Sequence, residues 1–301
     1  MHPARPSRLP FVAALAVAAA LLTTARAADT PAPPSNFFDK LETRGIKVSR
    51  GPVTSPLGSV AEINAPDGFG LIADADSIKK FYELNQSSVN GEEVGVLLDP
   101  VGVWTLFFRY ESTGYVKDDE KLDAAKLMAA MTEHEDEVNA ARKARGWDAM
   151  KVTGWATQPH YDEHTHNLKW AINLTSSADN FKGVFINESI RLLGRGGVMK
   201  VTLVCDTEDF KPSEAAVDKL LAASFGYVSG QKYSEWKTGD KVAAYGLGAL
   251  VLGGAGVLAS KAGLFAKLGA FLLAAKKLLI VAVIAVAGVF KKFWKKITGR
   301  A

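Results

Sequence analysis

The sequence predicts an α+β fold: an antiparallel sheet of two hairpins plus further strands packed with helices, forming an exported domain followed by a C-terminal transmembrane helix. Three observations carry this reading. Residues 150–175 and 183–205 each read as two apolar strands around a polar or glycine-rich centre, the pattern of a hairpin. Residues 122–145 and 212–226 instead repeat apolar residues every three or four positions, the period of a helix. Charge is also split along the chain: 28–239 holds 23 basic against 31 acidic residues, and 240–301 holds ten basic residues and one acid. The order strand, long helix, two hairpins, helix suits an antiparallel α+β sandwich and not a doubly wound parallel sheet.

The N-terminus reads as a secretory signal over 1–27. Arg5 and Arg8 lead an apolar stretch of about 12 residues, and Ala25 and Ala27 supply the small residues a signal peptidase requires. The stretch is short for a membrane span, which needs about 20 residues, although a retained N-terminal helix is the alternative. Export then leaves Ala28 first, and the proline-rich 28–45 reads as a tether that does not pack. The exported domain is placed at 46–239.

Within it, "VWTLFFRYES" alternates as a strand, with Trp104, Leu106, Phe108 and Tyr110 on one side. Asp118, Asp119, Glu120 and Asp123 follow. They lack the spacing of a calcium loop and fit the start of a helix, where the dipole favours acids. That helix runs from about Leu122 to Arg145, with Leu127, Met131, His134, Val138 and Ala141 on one stripe and Gly146 as its stop. His134 reads as a half-buried member of that stripe.

The first hairpin turns near 162–167, and Leu168, Trp170, Ile172 and Leu174 alternate in its second strand. The second hairpin turns at Gly194-Arg195-Gly196-Gly197, where glycine at positive φ is expected and no phosphate-loop motif is present. The last helix, "PSEAAVDKLLAASFG", takes Ser213 as its cap, turns Ala216, Val217, Leu220 and Leu221 inward, and ends at Gly226. The single cysteine, Cys205, lies on an apolar strand face with Met199, Val201 and Leu203. It reads as a buried thiol, with an intermolecular disulfide as the alternative.

The tail opens with 19 uncharged residues, 242–260, long enough to cross a bilayer and rich in glycines that let helices approach closely. A second apolar stretch of 13 residues, 278–290, follows Lys276-Lys277 and ends in "KKFWKKITGR". One crossing at 240–260 leaves 261–301 as a basic amphipathic tail on the inner side, in keeping with the positive-inside rule. A two-helix hairpin is the alternative. The implied partners are the lipid bilayer, through this C-terminal segment, and an unidentified envelope protein or ligand, with a homo-oligomer also compatible. Nucleic acid is not among them, because the basic residues interleave with apolar runs and the domain is acidic.

Most of the side chains that suggest chemistry stand in "QPHYDEHTH", which holds His160, His164 and His166 with Asp162 and Glu163. Two readings are open. A hairpin tip gathers polar residues because it meets water. Alternatively, His164, His166 and Asp162 converge on a zinc ion. Pro159 and the flanking strands oppose a helical pairing of His160 with His164, so no metal ligand, cofactor or catalytic residue is assigned. Gly-x-Ser-x-Gly and His-Glu-x-x-His are both missing.

The blocks "TGYVKDDEKLDAAKLMAAM", "VNAARKARGW", "VTGWATQPHYDEHTHNLKWA", "NESIRLLGRGGVMKV" and "DKVAAYGLGALVLGG" occur in this order. Together they resemble the bacterial domain-of-unknown-function family 2167, from about Ile46 into the apolar tail. The resemblance implies an exported, membrane-anchored protein with no established activity, and the signal and charge split read as placing it at the bacterial inner membrane with its main domain in the periplasm. The family pattern is matched at Gly114-Tyr115-Val116, Asp118, Gly154-Trp155, Pro159, Tyr161-Asp162, Trp170-Ala171, Arg191 and Leu193-Gly194-Arg195. Three functions stand open: a non-enzymatic binding or structural module, a metal-binding protein or metal-dependent hydrolase using 160–166, and a transport or stress-response accessory.

Overall fold

In the segment "WTLFFRYE" the alternate residues Trp104, Leu106 and Phe108 are buried, and so is Phe107 between them. A strand with both faces covered belongs in the middle of a sheet. The computed structural model describes residues 35–133, 135–178 and 183–253 and places this strand centrally. The described residues begin with helix α1 (Ser35–Glu42) and strands β1 (Ser49–Arg50), β2 (Val53–Leu57), β3 (Ala61–Ala65) and β4 (Gly70–Ile72). Helix α2 (Ala75–Leu84), β5 (Glu93–Leu98), β6 (Trp104–Glu111), α3 (Ala124–Thr132) and α4 (Glu135–Ala144) follow. Then come β7 (Met150–Asp162), β8 (Asn167–Ser176), β9 (Val184–Leu193), β10 (Val198–Asp206), α5 (Phe210–Ser224), β11 (Phe225–Tyr227) and α6 (Leu247–Val251).

Eight strands form one sheet in the order β1-β4-β5-β6-β10-β9-β8-β7, and β11-β3-β2 form a second. Every pairing between these strands is antiparallel. Both expected hairpins are present, β7–β8 and β9–β10, and Trp170 is buried as the alternation requires.

One face of the large sheet packs against the small sheet and α5. Leu106, Phe108, Ile190, Val201 and Leu203 meet Leu57, Ile63, Val217 and Leu221 there. Cys205 is buried in the same layer, and burial pushes its thiol up to about 12, so it is protonated at neutral pH. The opposite face carries two separate apolar clusters. One joins Phe107, Val96 and Val204 to Phe38 of α1 and Phe81 and Tyr82 of α2. The other joins Leu168, Trp170, Leu193 and Val198 to Val116, Leu127, Tyr233, Leu247 and Leu250.

Several expectations are corrected. Residues 35–45 are not a tether: Phe38 and Leu41 of α1 are buried, because they sit on one side of a helix that finds an apolar sheet face. The helix expected over 122–145 is two helices. Asp123 caps α3 by accepting the Lys126 amide, whereas α4 buries no side chain and leaves Val138 exposed, so the predicted stripe holds only through Leu127 and Met131. His134 lies outside the described residues. Helix α5 starts at Phe210, so Ser213 is a buried interior residue and Ala216 is exposed; its end is the entry into β11, which contains Gly226.

The glycines of the β9–β10 turn are not at positive φ. They serve close approach instead. A Cβ on Gly194 would meet the Tyr227 ring at 2.7 Å, and one on Gly197 would lie 2.2 Å from the Glu111 carbonyl oxygen.

The C-terminal boundary also moves. The unit containing the sheets extends to Leu252 rather than ending at 239. Tyr115 donates its amide to the Lys241 carbonyl and accepts the Ala243 amide, each at 2.8 Å, so 241–243 lie alongside 115 as a strand-like bridge. Leu247, Leu250 and Val251 are buried in the domain. A helix starting at 240 is therefore not formed, and no helix among the described residues is long and apolar enough to cross a membrane. Residues 254–301 and the signal region 1–27 lie outside the described residues.

Candidate functional site

The three histidines of the first hairpin separate. Asp162 ends β7, and its carboxylate accepts the His164 amide and the Thr165 hydroxyl, each at 2.9 Å. These bonds hold its carboxyl below the usual range and shape the turn. The His164 side chain is 96% exposed, and His160 also faces solvent. His166 adopts φ +55°, a left-handed conformation that costs energy for a residue with a Cβ. That conformation accompanies a return of its imidazole to the domain.

There it joins Tyr161 and Asp118. The Tyr161 hydroxyl donates to Asp118 Oδ2 at 2.7 Å and lies 3.0 Å from His166 Nδ1. A phenol has one proton to give, so the pattern requires Nδ1 of His166 to donate to Tyr161. Asp118 is 3.7 Å from the same imidazole nitrogen. Burial, then the adjacent Asp118, drives the Tyr161 phenol well above its ordinary value, so it remains protonated.

An aromatic group borders this polar triad. The His166 ring centroid lies 4.4 Å from that of Tyr233, Tyr233 stacks on Tyr115 at 4.4 Å, and Trp236 lies 5.1 Å from Tyr115. Tyr233 is buried and donates its hydroxyl to the Val116 carbonyl at 2.8 Å, while Trp236 is 38% exposed. Burial raises the Tyr233 phenol far above its ordinary range as well. Both phenols are hydrogen-bond donors here, and neither is a base.

The proposed convergence of His164, His166 and Asp162 does not form, because His164 faces Asp162 at 3.5 Å and His166 faces Asp118. Among the described residues, no group of three or more His, Cys, Asp or Glu side chains stands close enough to hold a metal ion. The acids of 118–123 are dispersed: Asp118 accepts Tyr161, Asp123 caps α3, and Glu120 accepts the Gly248 amide at 3.0 Å.

The family profile described as Protein of unknown function (DUF2167) matches residues 49–287. The chain belongs to that family. None of the curated proteins matches it. Among solved structures, a similar one is the solution structure of cyanobacterial PsbP (CyanoP) from Synechocystis sp. PCC 6803. It is 13% identical, with 60% of this chain and 93% of that chain covered, at a TM-score of 0.35.

In this DUF2167 chain, the matched positions Tyr115, Asp118 and Tyr161 meet in one cluster although they come from two segments. Arg195, from the β9–β10 turn, grips Asp240 through two bonds of 2.6 and 2.8 Å, and this pairing holds the Asp240 carboxyl down at about 2. Sequence reading missed Tyr233, Trp236 and Asp240. The signal available was "KYSEW", which places two aromatics three residues apart just after Gly230.

Proposed function

We propose that this chain is a membrane-attached binding module of the bacterial envelope, with its main domain on the periplasmic side of the inner membrane. It recognises a partner protein or ligand through the aromatic cluster at 115, 166, 233 and 236, without catalysis. One observation carries the reading. The chemically capable side chains of this cluster bond to one another, with Asp118, Tyr161, His166 and Tyr233 each engaged, while the Trp236 indole stays accessible beside them. Such an arrangement is a rigid aromatic platform with a polar edge, the composition of a recognition surface rather than of an activated nucleophile.

Attachment is supported by the sequence that follows. The same cluster is laced to 241–248, and beyond 253 the chain turns apolar and basic. Such residues favour an anionic lipid surface.

A photo-crosslinking residue placed at 236 in the full-length protein tests the binding role in intact cells. The expected result is a discrete adduct, absent when the crosslinker stands at Val138, an exposed position on α4. An adduct pattern identical at both positions, or none at 236, refutes the proposed surface. A phosphatase fused directly after the signal and domain, at 253, reports the side of the membrane and is expected to be active.

A further inference from the structure

Between the two apolar clusters on the helix-covered face of the large sheet, β9 and β10 present a polar strip. Asn187, Ser189 and Arg191 share that face of β9, and Lys200 and Thr202 share it on β10, since their neighbours Ile186, Ile190, Val201 and Leu203 belong to the opposite core. The register sets Trp170, Ser189 and Thr202 in one row across three strands, with Phe107 as the next member. Arg191 belongs to the adjoining row, opposite Lys200, which in turn faces Arg109.

These three cations are not equivalent. Lys200 lies 2.6 Å from Glu92 and 3.1 Å from Glu111, and Arg109 lies 3.3 Å from Glu93. Arg191 is only 8% exposed, and the carboxylates that favour its charge, Glu111 first and then Glu92, are the two that Lys200 also holds. Its Nη1 reaches the Ile190 and Val201 carbonyls at 3.3 and 3.4 Å, and its Nε has no hydrogen-bond partner. Burial lowers its pKa to about 10, which leaves it cationic at neutral pH. The Trp170 ring beneath it, 4.6 Å from Cζ, favours a cation but offers no acceptor. A buried charge whose nearest carboxylates are shared with a lysine is incompletely compensated, and its removal from water is further offset when an anion arrives.

The position of the guanidinium says what that anion meets. Because it lies over Trp170, it stands above the row that holds the half-buried Ser189 and Thr202 hydroxyls. Two residues further along β9, about 7 Å away, the buried Asn187 Oδ1 has no donor. Apolar walls close the strip on both sides, Trp170 on one and Phe107 on the other.

We propose that this strip is a binding site for a small molecule bearing an oxyanion, which Arg191 takes through its planar fork together with Ser189 and Thr202, and a hydrogen-bond donor, which Asn187 accepts. Arginine is suited to this because its fork matches a carboxylate or phosphate in geometry as well as in charge. The site stands apart from the hairpin-tip cluster and does not depend on the function assigned to that cluster.

The test follows the melting temperature of the purified full-length chain in detergent. Sodium phosphate and sodium acetate are titrated separately, with ionic strength held constant by sodium chloride. The expected result is a saturable rise with at least one of them. A rise with phosphate alone marks a phosphoryl ligand, and a rise with acetate alone a carboxylate. Arg191→Met is expected to melt at or above the parent in chloride, because it removes a buried charge with an unpartnered Nε, and to lose the rise. Should that variant fail to fold, Arg191→Lys keeps the charge without the fork and is expected to flatten the titration. No saturable rise in the parent, or an undiminished rise in the Arg191 variant, overturns the proposal.

Discussion

Replacing Glu188 with glutamine should stabilise the protein above neutral pH and leave it unchanged in acid. Glu188 lies on the α5 side of β9 and is 1% exposed. Its Oε1 is 3.3 Å from Lys169 Nζ, but that ammonium lies closer to Asp218, at 2.6 Å, and Glu188 Oε2 has no hydrogen-bond partner. One cation thus serves two carboxylates. Burial raises the Glu188 pKa from 4.5 to about 7, Lys169 opposes the rise, and Glu214 and Asp218 add to it. Between those two values the native chain keeps a proton that the unfolded chain has lost. Stability therefore falls as pH climbs through this window and is level above it. The gap, which already includes the opposing pull of Lys169, corresponds to about 3 kcal/mol. Glu188→Gln is neutral throughout and removes the slope, so its advantage over the parent should be near zero at pH 4 and about 1–3 kcal/mol at pH 8. Urea unfolding of the full-length chain in detergent, followed by tryptophan fluorescence from pH 4 to 8, measures this difference directly. If Glu188→Gln is less stable by the same amount at every pH, Glu188 is an ordinary ionised partner of Lys169 and the reasoning fails.

Phe38→Ala should cost about 3–5 kcal/mol, because Phe38 is 1% exposed and packs in the α1–α2 cluster; an unchanged melting temperature would return 35–45 to the status of a tether. Tyr161→Phe removes the hydroxyl that joins Asp118 to His166 and should cost about 1–3 kcal/mol, with a change in the His166 ring signals by NMR. Stability equal to that of the parent would show that the cluster is not held by this hydroxyl.

Strands with one strict alternation were legible in the sequence. The hairpins read over 150–175 and 183–205, and the strand through Trp104, Leu106 and Phe108, appear within a residue or so of where the period places them. Short strands were not. β1, β2, β3 and β4 span two to five residues, too few for a period to show, and their pairing depends on partners far along the chain. The break between α3 and α4 was hidden because the stripe of Leu127, Met131 and Val138 continues in sequence while the tertiary partners stop after Met131. At the candidate site, the histidine-rich stretch drew attention for the right region but the wrong reason. Local spacing suggests that His164 and Asp162 act with His166. The fold instead pairs His166 with Tyr161 and with Asp118, which is 48 residues away, and sets its ring against Tyr233, 67 residues along the chain from His166.

Residues 242–252 satisfy two incompatible environments on hydropathy alone, since a protein core and a lipid core select the same side chains. Packing decides between them. Tyr245 donates to Glu111 at 2.6 Å, Gly248 donates to Glu120, and Leu247, Leu250 and Val251 are buried against Val116 and Leu127. With those residues committed to the domain, the uncharged run left before Lys261 is 253–260. Eight residues of helix are about 12 Å long, less than half of a bilayer's apolar thickness of about 30 Å. On the proposed membrane attachment, anchoring would fall to later residues, where Lys267, Lys276 and Lys277 interrupt the apolar sequence. Lysines at such intervals suit a segment lying in the interface, or one whose lysines reach back to the headgroups. The single crossing expected at 240–260 thus loses 242–252 to the domain. An active phosphatase fused both at 253 and after Ala301 would place both ends outside and fit an interfacial tail. Activity at 253 alone would require a crossing made within 254–301.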